Sequence, residues 1–296
     1  MGFMDDRANL AGKTAVVAGG GGGLGRACAI DLARAGVALA LCDRNEELLA
    51  ETTAMAEAAG AHVVAGVFDA RDADAMAAFF AQRDGEHGDT LDVLVNVVGG
   101  TFRQPFAESN PRGWDALIRT NFTWLLQSTH LAIPRMRAAG GGSIINLTSI
   151  EGHRAAPGFA VYSGMKAGVV NFTRTLAVEL APEHIRVNTI APDMVPTEGI
   201  LGNAHNAAPD STWGDDRVGL AAAGVAIPMG RRGTYEDVGS CALFLASDLS
   251  RYITGTSLHP DGGALASSGW FNWPGLGYRN VPPRDVVEGV LEPDEG

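Results

Sequence analysis

Short runs of β-branched and aliphatic residues recur along this chain, each followed by a longer Ala- and Leu-rich stretch of helical period. This alternation constrains the fold most tightly. A strand that hands over to a helix before the next strand pairs in parallel, since parallel neighbours need a crossover connection. The expected architecture is an α/β domain with a doubly wound parallel sheet of about seven strands flanked by helices. Strands are expected over Thr14–Ala18, Val37–Cys42, Ala61–Phe68, Leu91–Val97, Gly142–Leu147, Arg186–Ile190 and Ser257–His259. Helices are expected over Leu24–Ala35, Glu46–Ala59, Asp72–Gln82, Pro111–Ala138, Gly158–Leu180 and Tyr235–Ala246. Asn110 is placed to cap the fourth of these, with Pro111 in its first turn and Gly140–Gly142 ending it. With 296 residues and no internal repeat, one large layered domain is expected over residues 1–263.

Two segments break the rhythm. From Pro192 to Gly233 Gly, Pro, Asn, Asp and Ala dominate with weak periodicity, which is long for a connector and points to a substrate loop acting as a lid or binding loop. Residues 264–296 form a C-terminal extension carrying Trp270, Phe271, Trp273 and Tyr278. Aromatics so close together are costly to leave in water, so docking against this or a neighbouring subunit is expected, the alternative being a loosely ordered terminus.

Charge excludes some partners. A net charge of −12 repels phosphate backbones and anionic bilayers, and an aromatic share of 7% offers little stacking surface, so neither nucleic acid nor membrane is expected as a partner. No apolar run approaches the roughly 18 residues that cross a bilayer, and Met1–Asp6 lacks a basic region followed by a hydrophobic stretch; a cytoplasmic location is expected. Cys28, Cys42 and Cys241 are odd in number, far apart and outside any CxxC or HExxH spacing. They read as small buried apolar residues, with no metal site.

The first expected strand runs into a turn, Ala18 to Gly25, in which every residue but Ala18 and Leu24 is glycine. Glycine there lets the backbone approach a pyrophosphate, whose charge is then held by free N–H groups and the positive end of the helix dipole. The string alone is a weak signal, since Gly20, Gly22 and Gly25 fit GxGxxG wherever glycine is abundant. Its place at the first strand-to-helix turn strengthens it. So does Asp43 at the end of the second strand, roughly 20 residues on, where a carboxylate accepts from both ribose hydroxyls of a Rossmann-type site. That carboxylate repels the 2′-phosphate of NADP, which favours NAD; the neighbouring Arg44 pulls the other way, because a guanidinium pairs with phosphate. Asp43 also has a plainer reading as the N-cap of the segment starting at Asn45. Asp69, ending the third strand, either accepts from an adenine amino group or opens a turn.

Tyr162 and Lys166 are four apart in a segment of helical period, so both project from one face. A positive charge there favours phenolate and is expected to draw the tyrosine pKa from about 10 toward neutrality, where proton exchange with an alcohol is efficient. The only lysines are Lys13 and Lys166, which makes a chance pair uncommon; a surface Tyr/Lys pair is the bland alternative. Ser149 ends a strand just ahead of this helix, at the carboxyl edge where open α/β folds bind ligands, and Thr148 is its rival. Asn121 sits mid-helix, where asparagine is intrinsically poor, and a buried structural role is open to it.

In this order the motifs resemble those of the classical short-chain dehydrogenase/reductase family, from about Leu10 to Gly263. The family's TGxxxGxG turn is matched by Gly19, Gly23 and Gly25, with Ala18 for the leading threonine. Asn96-Val97-Val98-Gly99 is a looser match to NNAG. Asn121, Ser149 and the YxxxK pair Tyr162 and Lys166 match the catalytic set, and Pro192 to Thr197 match PGxxxT with Asp193 in the glycine position. The resemblance implies hydride transfer between a nicotinamide and a secondary alcohol carbon. Tyr162 then acts as proton donor or acceptor, Lys166 tunes it and bonds the nicotinamide ribose, and Ser149 holds the substrate oxygen. Asn121 bonds backbone or a water that relays protons to Lys166. Also implied are cofactor contacts from Gly19, Gly23, Leu24, Gly25, Asp43, Arg44, Asp69 and Ala70. On the nicotinamide side they come from Asn96, Val98, Gly99, Pro192, Val195 and Thr197, the last two facing the carboxamide. A homotetramer on the two long helices is implied as well.

For the substrate, Val98–Thr101 and Ile150–Phe159 are expected to line the pocket with the aromatic extension closing it, which points to an apolar or ring-containing alcohol or ketone. Residues 96–106 are similar to aromatic dihydrodiol dehydrogenases, and a hydroxysteroid-like substrate is also open. His153 contacts substrate or stands on an exposed loop. Two rival readings remain: an NADPH-dependent 3-oxoacyl thioester reductase, against which Asp43 speaks, and a non-catalytic dinucleotide-binding sensor, against which the Ser149, Tyr162 and Lys166 set speaks.

Overall fold

The computed structural model describes residues 2–197 and 216–291. Its strands are β1 (Thr14–Ala18), β2 (Ala38–Asp43), β3 (Val63–Val67), β4 (Val93–Asn96), β5 (Gly142–Leu147), β6 (Ile185–Ile190) and β7 (Ser257–Leu258). They form one sheet in the order β3-β2-β1-β4-β5-β6-β7, with every neighbouring pair parallel. The chain winds outward from β1 to β3 and then returns beside β1 as β4. That reversal opens a crevice at the carboxyl ends of β1 and β4, where ligands of open α/β sheets sit.

Both faces of the sheet are covered, which explains the near-continuous apolar strands. Val17, Leu39, Leu41, Val95 and Ile145 pack on one side against α2 (Gly23–Arg34), α3 (Glu46–Ala58) and a helix over Tyr235–Ala246. Their strand neighbours Val16, Ala40, Leu94 and Ile144 face the opposite layer, made by α4 (Ala73–His87), α6 (Trp124–Ala139) and α7 (Ala160–Leu180). Cys28 and Cys42 lie wholly inside, their thiols pushed up to about 12 by burial; Cys241 is half-buried.

Most expected elements appear within two residues of their limits. Asn110 caps α5 (Pro111–Ile118), its Oδ1 accepting from the Gly113 N–H at 3.1 Å. Five differences stand out. Helix α4 runs past Gln82 to His87, because Arg83 is fully buried and donates to the Thr90 carbonyl and the Asp84 carboxylate instead of marking the surface. The long helix expected from Pro111 is interrupted by a π-helical turn, Arg119–Thr123, between α5 and α6. The expected loop from Pro192 to Gly233 contains α8 (Asp216–Ala226), hidden in the sequence by the lack of contrast between its Ala and Gly positions; residues 198–215 of that loop lie outside the described residues. In the extension, β8 (Phe271–Trp273) and β9 (Gly277–Arg279) form an antiparallel hairpin, followed by α10 (Arg284–Leu291); the helix Tyr235–Ala246 is thus α9. At the N-terminus Phe3–Ala8 forms α1. Among the described residues no helix is long and apolar enough to cross a membrane.

Candidate active site

The glycine turn lies at the carboxyl end of β1, with α2 starting at Gly23. Gly19 and Gly23 have φ of +89° and +51°, and a Cβ on Gly25 would stand 1.8 Å from the Gly19 carbonyl oxygen. Gly25 therefore has no room for a side chain, and Gly22, at the N-cap of α2, contributes no capping side chain. Such a cradle of bare backbone at a helix N-terminus fits a dinucleotide pyrophosphate. Asp43 meets it from β2: Oδ2 accepts from the Gly21 N–H at 3.1 Å and Oδ1 from the Asn45 N–H at 3.0 Å. The N-cap of α3 is Asn45, whose side chain accepts from the Leu48 N–H, so the capping reading of Asp43 is set aside. Arg44 is exposed beside it.

Other expected contacts divide by what their side chains already do. Asp69 is clasped by the Arg71 guanidinium at 2.9 and 2.5 Å, which holds its carboxyl down to about 2. Ala70 is buried beside it. Asn96 is buried between layers, donating to Asn146 Oδ1 and Thr129 and accepting from Ser128, so its amide ties β4 to β5 and only its backbone remains for a ligand. Val98 packs on Gly19. Thr197 reaches the glycine turn, with its Cγ2 3.7 Å from where a Cβ of Gly23 would lie, and the Tyr235 hydroxyl steadies this loop by donating to the Pro196 carbonyl. Val195 is buried, its N–H donating to the Asp193 carbonyl.

The catalytic candidates converge at the ends of β5 and α7. Thr148 spends its hydroxyl on the Ile190 carbonyl across the sheet, while Ser149, turned the other way, accepts from the Glu151 N–H at 3.2 Å. Lys166 is buried one turn beyond Tyr162, with Nζ donating to the Leu147 carbonyl at 3.0 Å. Asn121 occupies the π-turn; its Nδ2 donates to the Gly100 and Leu117 carbonyls and its Oδ1 accepts from the Gly100 N–H. A π-turn widens a helix locally, and here it aims the amide inward. Asn121 Oδ1 and Lys166 Nζ both approach Gly99, within 3.1 and 3.2 Å of the place a Cβ would take.

The acidified phenol expected at Tyr162 is not what the chain provides. Burial, helped by the Glu151 carboxylate, holds Tyr162 above the ordinary tyrosine value, and its hydrogen bond with Ser149 opposes this. The ammonium of Lys166 lies 5.7 Å from the centre of the ring, drawn back to the Leu147 carbonyl, and burial brings its own pKa down to about 8.

A cavity of about 540 Å³ opens against Glu151, whose N–H donates to Ser149 Oγ; Ser149 and Tyr162 themselves do not line it. Phe159, Trp270 and Phe271 are among its lining residues, the last two coming from the C-terminal extension and, like Tyr278, exposed. Glu151 and Arg154, within the expected 150–159 lining, face it, whereas Val98–Thr101 are absent from its walls. Asp193 joins them; the sequence signalled it only as a departure from a glycine position. Arg154 Nη2 donates to Glu151 Oε1 at 2.9 Å and to Asp193 Oδ1 at 3.4 Å. His153, expected on an exposed loop or at the substrate, is instead half-buried in an edge-on pair with His259, ring centres 4.5 Å apart, and burial lowers its pKa.

Burial raises Asp193 to about 6 despite Arg154. The folded chain then binds this proton more tightly than the unfolded one, whose aspartate titrates near 3.9. Its contribution to stability is consequently lost as pH rises from about 4 to 6. Asp193→Asn is expected to remove that slope, gaining about 2–3 kcal/mol on the parent at pH 7 and nothing at pH 4. Urea unfolding at both pH values measures it, and an equal change at the two would contradict the assignment.

Comparison with known proteins agrees with this geometry. The family model described as enoyl-(acyl carrier protein) reductase matches residues 19–264. The chain is 34% identical over 255 residues to nodulation protein G of Azospirillum brasilense, covering 85% of this chain and 97% of that one. It is 35% identical over 258 residues to the 2,5-dichloro-2,5-cyclohexadiene-1,4-diol dehydrogenase of Sphingobium indicum, covering 86% and 96%. Carveol dehydrogenase from Mycobacterium avium, solved in complex with NAD, superposes with a TM-score of 0.80 at 30% identity over 88% of this chain and 99% of that one. With its sheet order, its bare glycine turn and the Ser149, Tyr162 and Lys166 group at one edge, the chain belongs to the short-chain dehydrogenase/reductase family, oxidoreductases that act on CH–OH groups.

Proposed function

We propose that this chain interconverts a secondary alcohol and a ketone on a cyclic or largely apolar small molecule, with NAD preferred over NADP. The observation that carries the reading is the convergence of Ser149, Tyr162 and buried Lys166 at the carboxyl ends of β5 and α7, with Gly99 against Lys166 and Val98 against the glycine turn. A bound nicotinamide supplies the hydride acceptor or donor. The residues of the chain do the rest. Ser149 Oγ orients the reacting oxygen, and Tyr162 Oη gives up its proton in ketone reduction or takes the alcohol proton in oxidation. Because burial keeps the phenol protonated, the chain alone holds the form required for reduction. Lys166, fixed by the Leu147 carbonyl, supplies positive charge near the phenol and a donor for the nicotinamide ribose. Asn121 takes the backbone-bonding option, holding the Gly99–Gly100 segment that passes over Lys166.

NAD preference rests on Asp43, whose carboxylate stands against the turn where a 2′-phosphate would have to fit. Asp43→Ser is expected to lower the NAD-to-NADP ratio of kcat/KM by about tenfold or more. An unchanged ratio would remove the ribose assignment. Residues 1–263 form the catalytic domain in this reading, with the substrate loop at 192–233 and the extension at 264–296 reaching the pocket; a homotetramer is the proposed assembly. The decisive experiment is a screen of secondary alcohols and ketones with both cofactors. Tight NADH binding with no turnover of any of them would favour a sensor, and turnover of 3-oxoacyl thioesters with NADPH alone would favour the acyl reductase.

A further inference from the structure

The cavity lined by Glu151 and Phe159 is apolar along most of its wall but charged at one end. Aromatic rings of Phe159, Trp270 and Phe271 suit the faces of a flat or puckered ring. The charged end is built from three side chains on two loops, Glu151 and Arg154 after β5 and Asp193 after β6, and the Ile150 N–H donating to the Pro192 carbonyl joins those loops. Arg154 uses only Nη2 on the two carboxylates. Among the described residues neither Nη1 nor Nε donates to a protein atom, and the side chain keeps 34% of its surface open.

What such an end recognises follows from its charges. A carboxylate ligand would be repelled by Glu151 and Asp193. An ammonium would have to displace a guanidinium already paired with both. A hydroxyl meets neither obstacle: it accepts from the free guanidinium N–H groups and donates to a carboxylate oxygen. The subsite adjoins the reacting centre: the Glu151 N–H donates to Ser149 Oγ, and Phe159 packs edge-on against Tyr162 with ring centres 6.5 Å apart.

We propose that Glu151, Arg154 and Asp193 form a specificity subsite for a second hydroxyl group, so that the preferred substrates are cyclic diols of which only the hydroxyl held by Ser149 and Tyr162 reacts. This rests on the alcohol–ketone reading above and narrows its substrate class. The second hydroxyl is chemically unchanged; it anchors the ring.

The test compares cyclohexanol with cyclohexane-1,2-diol and cyclohexane-1,4-diol. The parent chain is expected to favour at least one diol by about tenfold or more in kcat/KM, and Arg154→Met to cut that preference to about threefold or less, chiefly through the KM of the diol. Arg154→Lys, which keeps a donor, is expected to retain part of it, and Glu151→Gln to weaken it. A parent chain with no diol preference overturns the subsite, as does full preference in Arg154→Met. Should Arg154→Met fail to fold, full preference in both Arg154→Lys and Glu151→Gln overturns it equally. Turnover of none of the three alcohols counts against the catalytic reading instead. Calorimetric binding of diol and mono-alcohol then decides the subsite, equal affinities overturning it.

Discussion

Tyr162→Phe is expected to lower kcat by roughly 10²- to 10⁴-fold while NADH affinity stays within a few-fold of the parent. The substitution keeps the ring, which packs against Phe159 with centres 6.5 Å apart, and deletes only the hydroxyl. Two neighbouring donors are already engaged. Lys166 is buried against the Leu147 carbonyl, and the Thr148 hydroxyl is bound to the Ile190 carbonyl. Stopped-flow turnover alongside fluorescence titration of NADH separates the two quantities. A loss below about tenfold in kcat would show that the proton travels by another route.

The second large effect is expected at Gly25→Ala. Its Cβ would lie 1.8 Å from the Gly19 carbonyl oxygen, 2.8 Å from the Gly19 carbonyl carbon and 3.1 Å from the Gly20 Cα. All three are backbone atoms, so relief requires the turn itself to open. That would move the N–H groups meant for a pyrophosphate and detach α2 from β1. A loss of about 2–4 kcal/mol in stability and about 100-fold or more in NADH affinity is expected. Gly85→Ala serves as the control: it lies inside α4, meets nothing within 4 Å, and is expected to be neutral or stabilising by about 0.5–1 kcal/mol. Urea midpoints and NADH titration check both variants. NADH affinity in Gly25→Ala within threefold of the parent would mean that the turn does not hold the cofactor.

Alternation of strand and helix segments, the glycine turn after β1 and the four-residue spacing of Tyr162 and Lys166 were all legible in the chain itself. Each depends on local rules: apolar period, the absence of a side chain at a crowded turn, and which residues share a helix face. They sufficed for a parallel α/β sheet and for bringing the glycine turn and the Tyr162 helix to the same edge. Asn110, as the cap of α5, was legible for the same local reason.

The electrostatic state of the site belongs to the tertiary structure. Helical spacing brought the Lys166 ammonium near the Tyr162 ring, but the carbonyl of Leu147, from a different element, set its final place. Burial by the assembled layers then raised the phenol's pKa above its ordinary value. The inward amide of Asn121 and the mixed-charge end of the cavity likewise depend on partners distant in sequence. A chain's local pattern determines which element forms and which side it buries. Which charges meet in a dry crevice depends on how loops from separate strands fold over one another, and that is decided only when the sheet is complete.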